Sequence, residues 1–465
     1  MNSRDKIAAK SGVFYTISSF ATTGISFVSV PIFTRLMSTV EYGDYNNFTS
    51  WIAILTVVAS LNLGSTFIRA RFDFEDKYNT YVFSIQVLSL ISVSLWVLFS
   101  NVLYPYIFGL IKMSRLNMNL LWVYIFGSQI VSMFQSVDQY NYKYKRMSLI
   151  SVGLALFTTL LSIGLVIGYE DKLEGRIIGY VVPYAIMGII MFIYFFRKAN
   201  RVSIDCWKYA LPICLPYIPH LLSLCLLNSM DRIMITDICG SEETALYSLA
   251  YSCSYFITIL VSAINTAYVP WLSDCLHDEQ YERINKFSYK YIAFFVYCVL
   301  GIVLIAPEFL LILGGRNYIS AKWVMPPVMI GCAMQLMYTM CVNVEQYYKK
   351  TKGMAIASVS AALLNFILNS IFIPKFGYVA AAYTTLICYV FLLIMHMVLV
   401  RKIIRLYDYK FFVLMVAVLL GWCFLSNLIY INNYIRYGCI GVFIVIGFIL
   451  VIKNRKYITR FFKRG

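Results

Sequence analysis

The sequence predicts an all-α polytopic membrane protein of about fourteen spans, arranged as two six-helix lobes related by an internal repeat, with a further helix pair behind them. Three observations carry the prediction. Of 465 residues, 60% are hydrophobic and 13% charged, with a mean hydropathy of +0.73. A soluble protein needs roughly 25% charged residues to cover its surface. Apolar runs of about 20 residues, the length that crosses the hydrocarbon, recur along the whole chain. Short patterns also return some two hundred positions later.

The candidate spans run approximately 13–34, 46–67, 81–102, 119–138, 149–168, 177–196, 209–230, 245–269, 289–313, 323–343, 355–374, 378–400, 411–429 and 435–452. With the N-terminus inside, the inner segments hold 29 of the 39 Lys and Arg, at least three in each, and no outer segment holds more than two. Such a bias sets orientation in the membrane. Both termini are therefore expected in the cytoplasm, and the net charge of +17 reads as topology rather than as a nucleic-acid surface. The start, MNSRDKIAAKSG, reads as a retained basic leader, with no apolar core ending in a cleavage site. The twelve cysteines begin at Cys206, lie mostly in apolar runs and form neither a CxxC pair nor a His/Cys cluster, so neither disulfides nor a metal site is expected. Connections of roughly 20 residues or fewer, without a GxxxxGK[ST] loop, leave no room for a soluble catalytic or nucleotide-binding domain. The chain is expected to be no enzyme and to need no cofactor.

Gln139-Tyr140, Lys145, Met147 and Ser151-Val152 return as Gln346-Tyr347, Lys352, Met354 and Ser358-Val359, all 207 positions later. Glu41-Tyr-Gly-Asp-Tyr45 resembles Glu243-Thr-Ala-Leu-Tyr247 at 202, and Gly175 pairs with Gly377, also at 202, which implies a loop five residues longer after span 5 than after span 11. The fixed order points to duplication, giving lobes at 1–200 and 201–405 and an appended pair with a basic tail at 406–465. Six plus six spans in one orientation are parallel repeats, which in transporters hold the substrate between the lobes near the midplane.

The run PIFTRLMSTVEYGDYNNF (31–48) resembles the first-span motif of the oligosaccharide flippases, a family of the MATE-like exporter superfamily. NSMDRIMITDICGSEETALYSLAYS (228–252) and ALLNFILNSIFIPKFGYVAAAYTTLICY (362–389) are similar to its seventh-to-eighth and eleventh-to-twelfth-span motifs, and the likeness covers roughly 10–400. The resemblance implies a carrier that moves polyprenyl-pyrophosphate-linked oligosaccharides from the inner to the outer leaflet of the cytoplasmic membrane for surface polysaccharide such as O-antigen. The family usually has twelve spans, so the extra pair departs from it. The lipid II flippase branch is similar in having fourteen, but the first span here lacks that branch's mid-span arginines. A drug or cation antiporter of the same fold is a third reading, against which no acid lies in the middle of spans 1 to 6.

An ionised headgroup and a hydroxyl-rich glycan cannot cross hydrocarbon unaided, so the site must be wet and preferably cationic. Arg35 and Arg232 hold related places at the outer ends of spans 1 and 7, where each would face the cleft or anchor its helix at the interface. Arg69 and Arg71, at the inner end of span 2, stand where a pyrophosphate would first be met. Ser18, Thr22 and Ser26 lie on one face of span 1, and Asn365 and Asn369 one turn apart in span 11; these stripes suit sugar hydroxyls or close helix packing. Asp138, Glu308, Glu345 and His220 are the candidates to couple transport to a proton or sodium ion. Asp231 is expected to hold its neighbour Arg232 or to cap the loop rather than to bind substrate. Pro212, Pro216 and Pro219 each lack an amide donor, so span 7 should bend and serve as a hinge.

Overall fold

The computed structural model describes residues 3–199 and 201–453. It is a bundle of α-helices, with no strand among the described residues. The first half comprises α1 (Ser3–Leu36), α2 (Thr39–Ala59), a short α3 (Phe67–Asp73), α4 (Tyr78–Ile111), α5 (Arg115–Tyr140), α6 (Tyr144–Gly168) and α7 (Lys172–Phe196). The second half runs through α8 (Ile204–Cys214), α9 (Ile218–Ile238), α10 (Ser241–His277), α11 (Tyr281–Leu304), α12 (Ala306–Gly314), α13 (Met325–Tyr347), α14 (Thr351–Phe376) and α15 (Tyr378–Ile403). The appended pair is α16 (Tyr409–Ile429) and α17 (Asn433–Lys453).

All fourteen runs read from the sequence fall on these helices. Among the described residues, eleven helical segments are long and apolar enough to cross a membrane, and α2 with α3, bent by 50°, makes a twelfth. This is a multi-pass membrane protein. Helices are what such a sequence must form, because hydrocarbon offers no partner to an unpaired N–H or C=O. The short connections are fixed by caps. Ser38 and Glu41 form a reciprocal capping box on α2, while Ser114, Asp171 and Asp408 accept backbone N–H bonds at the starts of α5, α7 and α16. Close packing inside the first half rests on small residues. A Cβ on Gly188 would stand 2.6 Å from Gly127 Cα, so α5 and α7 touch backbone to backbone there.

The repeat is visible in the helix ends. Leu36 and Ile238 close α1 and α9 at a separation of 202, and Tyr140 and Tyr347 close α5 and α13 at 207. One expected match fails. Gly175 is buried within α7 against the Leu165 carbonyl, whereas Gly377 is the left-handed residue (φ +71°) that precedes α15. Capping residues Asp171 and Gly377 are the true equivalents, 206 apart, and the loop after α6 is only two residues longer than the one after α14. The pairing of Gly175 with Gly377 sets a register that the helix starts do not keep.

The halves break at different places. Span 7 interrupts its α-helix at Leu215–Tyr217, between α8 and α9, with Pro212, Pro216 and Pro219 around the break. In the first half the second span breaks instead, where Leu61 and Asn62 take positive φ. The segment α8 packs with the first half: Trp207 Nε1 donates to the Ser84 carbonyl (2.7 Å), and Tyr209 OH donates to Asp73 (2.5 Å).

Candidate functional site

The faces that meet between the halves belong to α1 and α2 on one side and α9, α10 and α12 on the other. Bonds across this seam gather at the end where α1 turns into α2 and α9 into α10, the end expected to face outward. Gly43 is the closest approach: a Cβ there would lie 1.7 Å from the Ser241 carbonyl oxygen, so the start of α10 rests directly on the backbone of α2. Around it, Ser241 Oγ donates to Asp44, and Thr34 donates to the Leu313 carbonyl. Lys112 Nζ pairs with Asp237 (3.1 Å) and also reaches its carbonyl at 2.6 Å. Tyr42 meets Tyr318 edge to face, with ring centroids 6.1 Å apart. None of these closing contacts was singled out from sequence, because each joins residues more than a hundred positions apart, beyond any local pattern.

Arg35 belongs to this closure. Its guanidinium donates to the Pro31 carbonyl on its own helix and to the Ile312 carbonyl of α12, both at 2.8 Å. Arg232 lies within α9, half-buried, reaching the Asn228 carbonyl (3.2 Å) and lying 5.2 Å from the centre of the Tyr251 ring. At the opposite end, Arg69 is exposed and pairs with Asp73 at 3.4 Å, while Arg71 donates to the Tyr140 carbonyl. Arg71 lines a cavity of about 410 Å³ between the start of α1, α3 and the end of α5, together with Ser11, Tyr15, Gln139 and Tyr142. The four arginines thus stand at separate stations and form no single cluster.

The α1 hydroxyls are engaged by their own helix. Ser18 Oγ donates to Phe14 O (2.7 Å), Thr22 to Ser18 O (3.0 Å) and Ser26 to Thr22 O (3.1 Å), the usual resort of a hydroxyl with no other partner at membrane depth. Ser18 is buried, whereas Ser26 is exposed. His220, one residue past Pro219, is half-buried and its Nδ1 has no partner.

The carboxylates sort into four arrangements. Asp138 is buried in a bidentate pair with Arg146. Glu308, on α12, accepts two bonds from Arg436 of α17 (2.5 and 2.7 Å). Glu345 is fully buried and its Oε1 meets His396 Nδ1 at 2.8 Å, while Oε2 has no partner. Asp231 corrects the sequence reading most clearly. Helix α9 continues past it to Ile238, so Asp231 is a buried residue of a membrane helix and not the holder of Arg232. It accepts from Thr385 Oγ1 (2.6 Å), Asn369 Nδ2 (2.6 Å) and Tyr247 OH. Asn365 bonds Thr385 at 3.0 Å, and Thr384 donates to Asn369, so the asparagine pair read as a glycan stripe belongs to this network. The arrangement is one acid met by an amide N–H and two hydroxyls, with no basic side chain among its hydrogen-bond partners; its carboxylate and the hydroxyl oxygens suit a proton or a hard monovalent cation. Among the described residues, no three His, Cys, Asp or Glu side chains are grouped to hold a metal ion.

The fold and these polar stations define a two-lobed polytopic protein with buried acids and arginines in its spans. The profile of the polysaccharide biosynthesis protein family matches residues 8–276, more than half of the chain, and the protein belongs to that family. A MatE profile matches residues 216–371. A Haemophilus influenzae protein described as an uncharacterized membrane protein is 18% identical over 370 residues, covering 76% of this chain and 88% of its own. Among solved structures, the lipid II flippase MurJ in an inward closed conformation is similar with a TM-score of 0.72 at 15% identity, over 96% of this chain and 100% of its own. An inward-facing multidrug resistance MATE family transporter of the MOP superfamily gives 0.60 at 14% identity, over 83% and 94%. The fold is that of the MurJ and MATE proteins.

Proposed function

We propose that this protein is a flippase that carries a polyprenyl-pyrophosphate-linked oligosaccharide from the inner to the outer leaflet of the cytoplasmic membrane, by alternating access of its two lobes. Membership of a polysaccharide biosynthesis family supports this class of cargo. The observation that carries the mechanism is that the bonds between α1–α2 and α9–α12 gather around Gly43 and Ser241, whereas at the other end, among the described residues, the bonds between halves are those of α8 alone, which stays with the first half. Lobes fastened at one end can part at the other, and the two states exchange when the fastening moves across.

In this reading the pyrophosphate first meets Arg71 in the cavity beside α3, with Arg69 at its rim. A guanidinium matches phosphate oxygens bidentately. Arg232 receives the headgroup higher in the second lobe. Arg35 is released from the α12 carbonyl when the closed end opens, which makes it available to the emerging headgroup. The prolines between α8 and α9 form the hinge, because α8 packs with one lobe and α9 belongs to the other. A coupling cation sits at Asp231, the buried acid for which no ion pair with a basic side chain is found among the described residues. Glu345 and Asp138 hold their partners inside the lobes.

Deleting the gene should trap lipid-linked repeat units in the inner leaflet and remove the matching surface polysaccharide. Reconstituted vesicles give the direct test: protein-dependent movement of a labelled polyprenyl-pyrophosphate glycan to the far leaflet is expected, and its absence under every cation gradient would end the proposal. Arg71→Ala with Arg232→Ala should slow that movement while membrane insertion is unchanged.

A further inference from the structure

Helix α16 turns Phe412, Leu419 and Cys423 inward, where they are buried, and packs against α11 and α13. Toward α15 it leaves a wedge. The wedge is a cavity of about 410 Å³ whose walls include Val390, Leu393, Ile394 and Val398 of α15 and Val413 and Val416 of α16. Ile394, Val398 and Val413 are exposed large apolar side chains, so in the membrane the groove is open to lipid.

Its two ends differ. At one, Asn427 Nδ2 donates to Tyr383 OH (2.7 Å) and ties the helices together. At the other, Arg401 lines the cavity and holds its guanidinium 5.4 Å from the centre of the Tyr409 ring. Lys402, Arg405 and Lys410 are exposed around it, and the acid in this turn, Asp408, is occupied in capping α16. From Val390 to Arg401 the helix rises about 16 Å, close to half of the ~30 Å hydrocarbon core. An apolar slot one leaflet deep, with a cation at its mouth, matches a single acyl chain joined to a phosphate.

We propose that the groove between α15 and α16 binds an anionic phospholipid, with one acyl chain in the slot and the phosphate oxygens on Arg401. Basic residues at the membrane surface attract anionic lipid, and the distribution of Lys and Arg along the chain puts this end in the cytoplasmic leaflet. The polyprenyl carrier is the other lipid available, but its chain is much longer than the slot. The bound phospholipid mortars the appended pair to the second lobe, a role independent of the cargo carried between the lobes.

The test is retention of lipid by the full-length protein, read by native mass spectrometry after mild extraction with equal amounts of dioleoyl phosphatidylglycerol and dioleoyl phosphatidylethanolamine. The anionic lipid should be retained roughly tenfold better, the scale of one charge-assisted hydrogen bond. Arg401→Gln, at an exposed position, should erase the preference. Val398→Trp with Val413→Trp should exclude both lipids while leaving the arginine in place. Equal retention of the two lipids, or a preference untouched by Arg401→Gln, overturns the proposal. Displacement of phosphatidylglycerol by equimolar undecaprenyl phosphate overturns the assignment of the occupant. Transport is not read in this experiment, so its outcome and that of the flippase assignment are separable.

Discussion

The two lobes repeat one sequence plan and have filled its equivalent positions with opposite chemistry. Asp138 and Glu345 stand 207 residues apart, at the same place near the ends of α5 and α13. Asp138 has Arg146 as its partner; the position equivalent to Arg146 is Gly353, and Glu345 faces His396 from α15 instead. One acid is held by a permanent cation and the other by a group that is charged only when protonated. A second contrast lies deeper. Tyr45 in the first lobe lies against Arg176, whose guanidinium is 4.4 Å from its ring and 3.6 Å from the Phe33 ring. Its equivalent Tyr247 donates to Asp231. At the places of Asp231, Asn365, Asn369 and Thr385 the first lobe has Ser29, Thr158, Ser162 and Gly179, and the hydroxyls of Thr158 and Ser162 have no partner. Among the described residues, the fully buried Asp138 of the first half is paired with an arginine, whereas buried Asp231 and Glu345 of the second half have no Lys or Arg partner.

The largest expected effect tests the paired acids. His396→Ala strands a fully buried carboxylate and should cost about 3 kcal/mol, the scale of a broken buried pair. Arg146 is partly exposed, so water replaces part of what it gives Asp138, and Arg146→Ala should cost less, about 1–2 kcal/mol after that discount. Thermal unfolding of the full-length variants in detergent measures both. Equal losses for the two variants at neutral pH would remove the distinction between the lobes.

Next in size is the coupling acid. Asp231→Asn keeps the shape of the network and removes its charge, and should slow transport up to about 100-fold if up to ~3 kcal/mol of charge-assisted bonding is lost. Ser29→Ala, the matching change in the first lobe, removes a neutral hydroxyl that bonds only the Ser26 carbonyl of its own helix and should leave transport within about twofold. A cation-dependent rate in the wild type that disappears in Asp231→Asn sharpens the contrast; a rate insensitive to Asp231→Asn would take the ion away from this site.

What the sequence made legible follows from how each feature is encoded. Spans are periodic or compositional, so the runs at 81–102 or 378–400 could be placed without coordinates, although fourteen were read where eleven, or twelve with the bent pair, are long and apolar enough among the described residues; Pro216 and Pro219 marked the interruption of the α-helix in span 7. The end of span 7 was misjudged because Asn228, Asp231 and Arg232 look like a loop; Ile233 to Ile235 extend the helix and take Asp231 inside. Asn365 and Asn369 were recognised as unusual, but their partners Asp231 and Thr385 lie up to 138 residues away, and no local spacing joins them. Gly43 stood within a repeated motif whose conformational role is legible only when Ser241 is placed against it. His396 carried no motif at all.

The two smallest predictions concern the closed end, where the lobes meet as unlike surfaces. Gly43→Ala puts a methyl group 1.7 Å from the Ser241 carbonyl, a separation that cannot be kept, so α10 must withdraw from α2. The closed population should fall about tenfold, equivalent to ~1.4 kcal/mol, seen as a longer spin-label distance across Leu36 and Ile312. Lys112→Ala removes an ion pair in which both side chains are 40–48% exposed. Such pairs contribute under about 1 kcal/mol, and the same distance should move only slightly and only at low salt. If Lys112→Ala opens the seam as far as Gly43→Ala does, electrostatics rather than backbone contact holds the lobes, and the closure would then be a charge lock sensitive to ionic strength throughout the cycle.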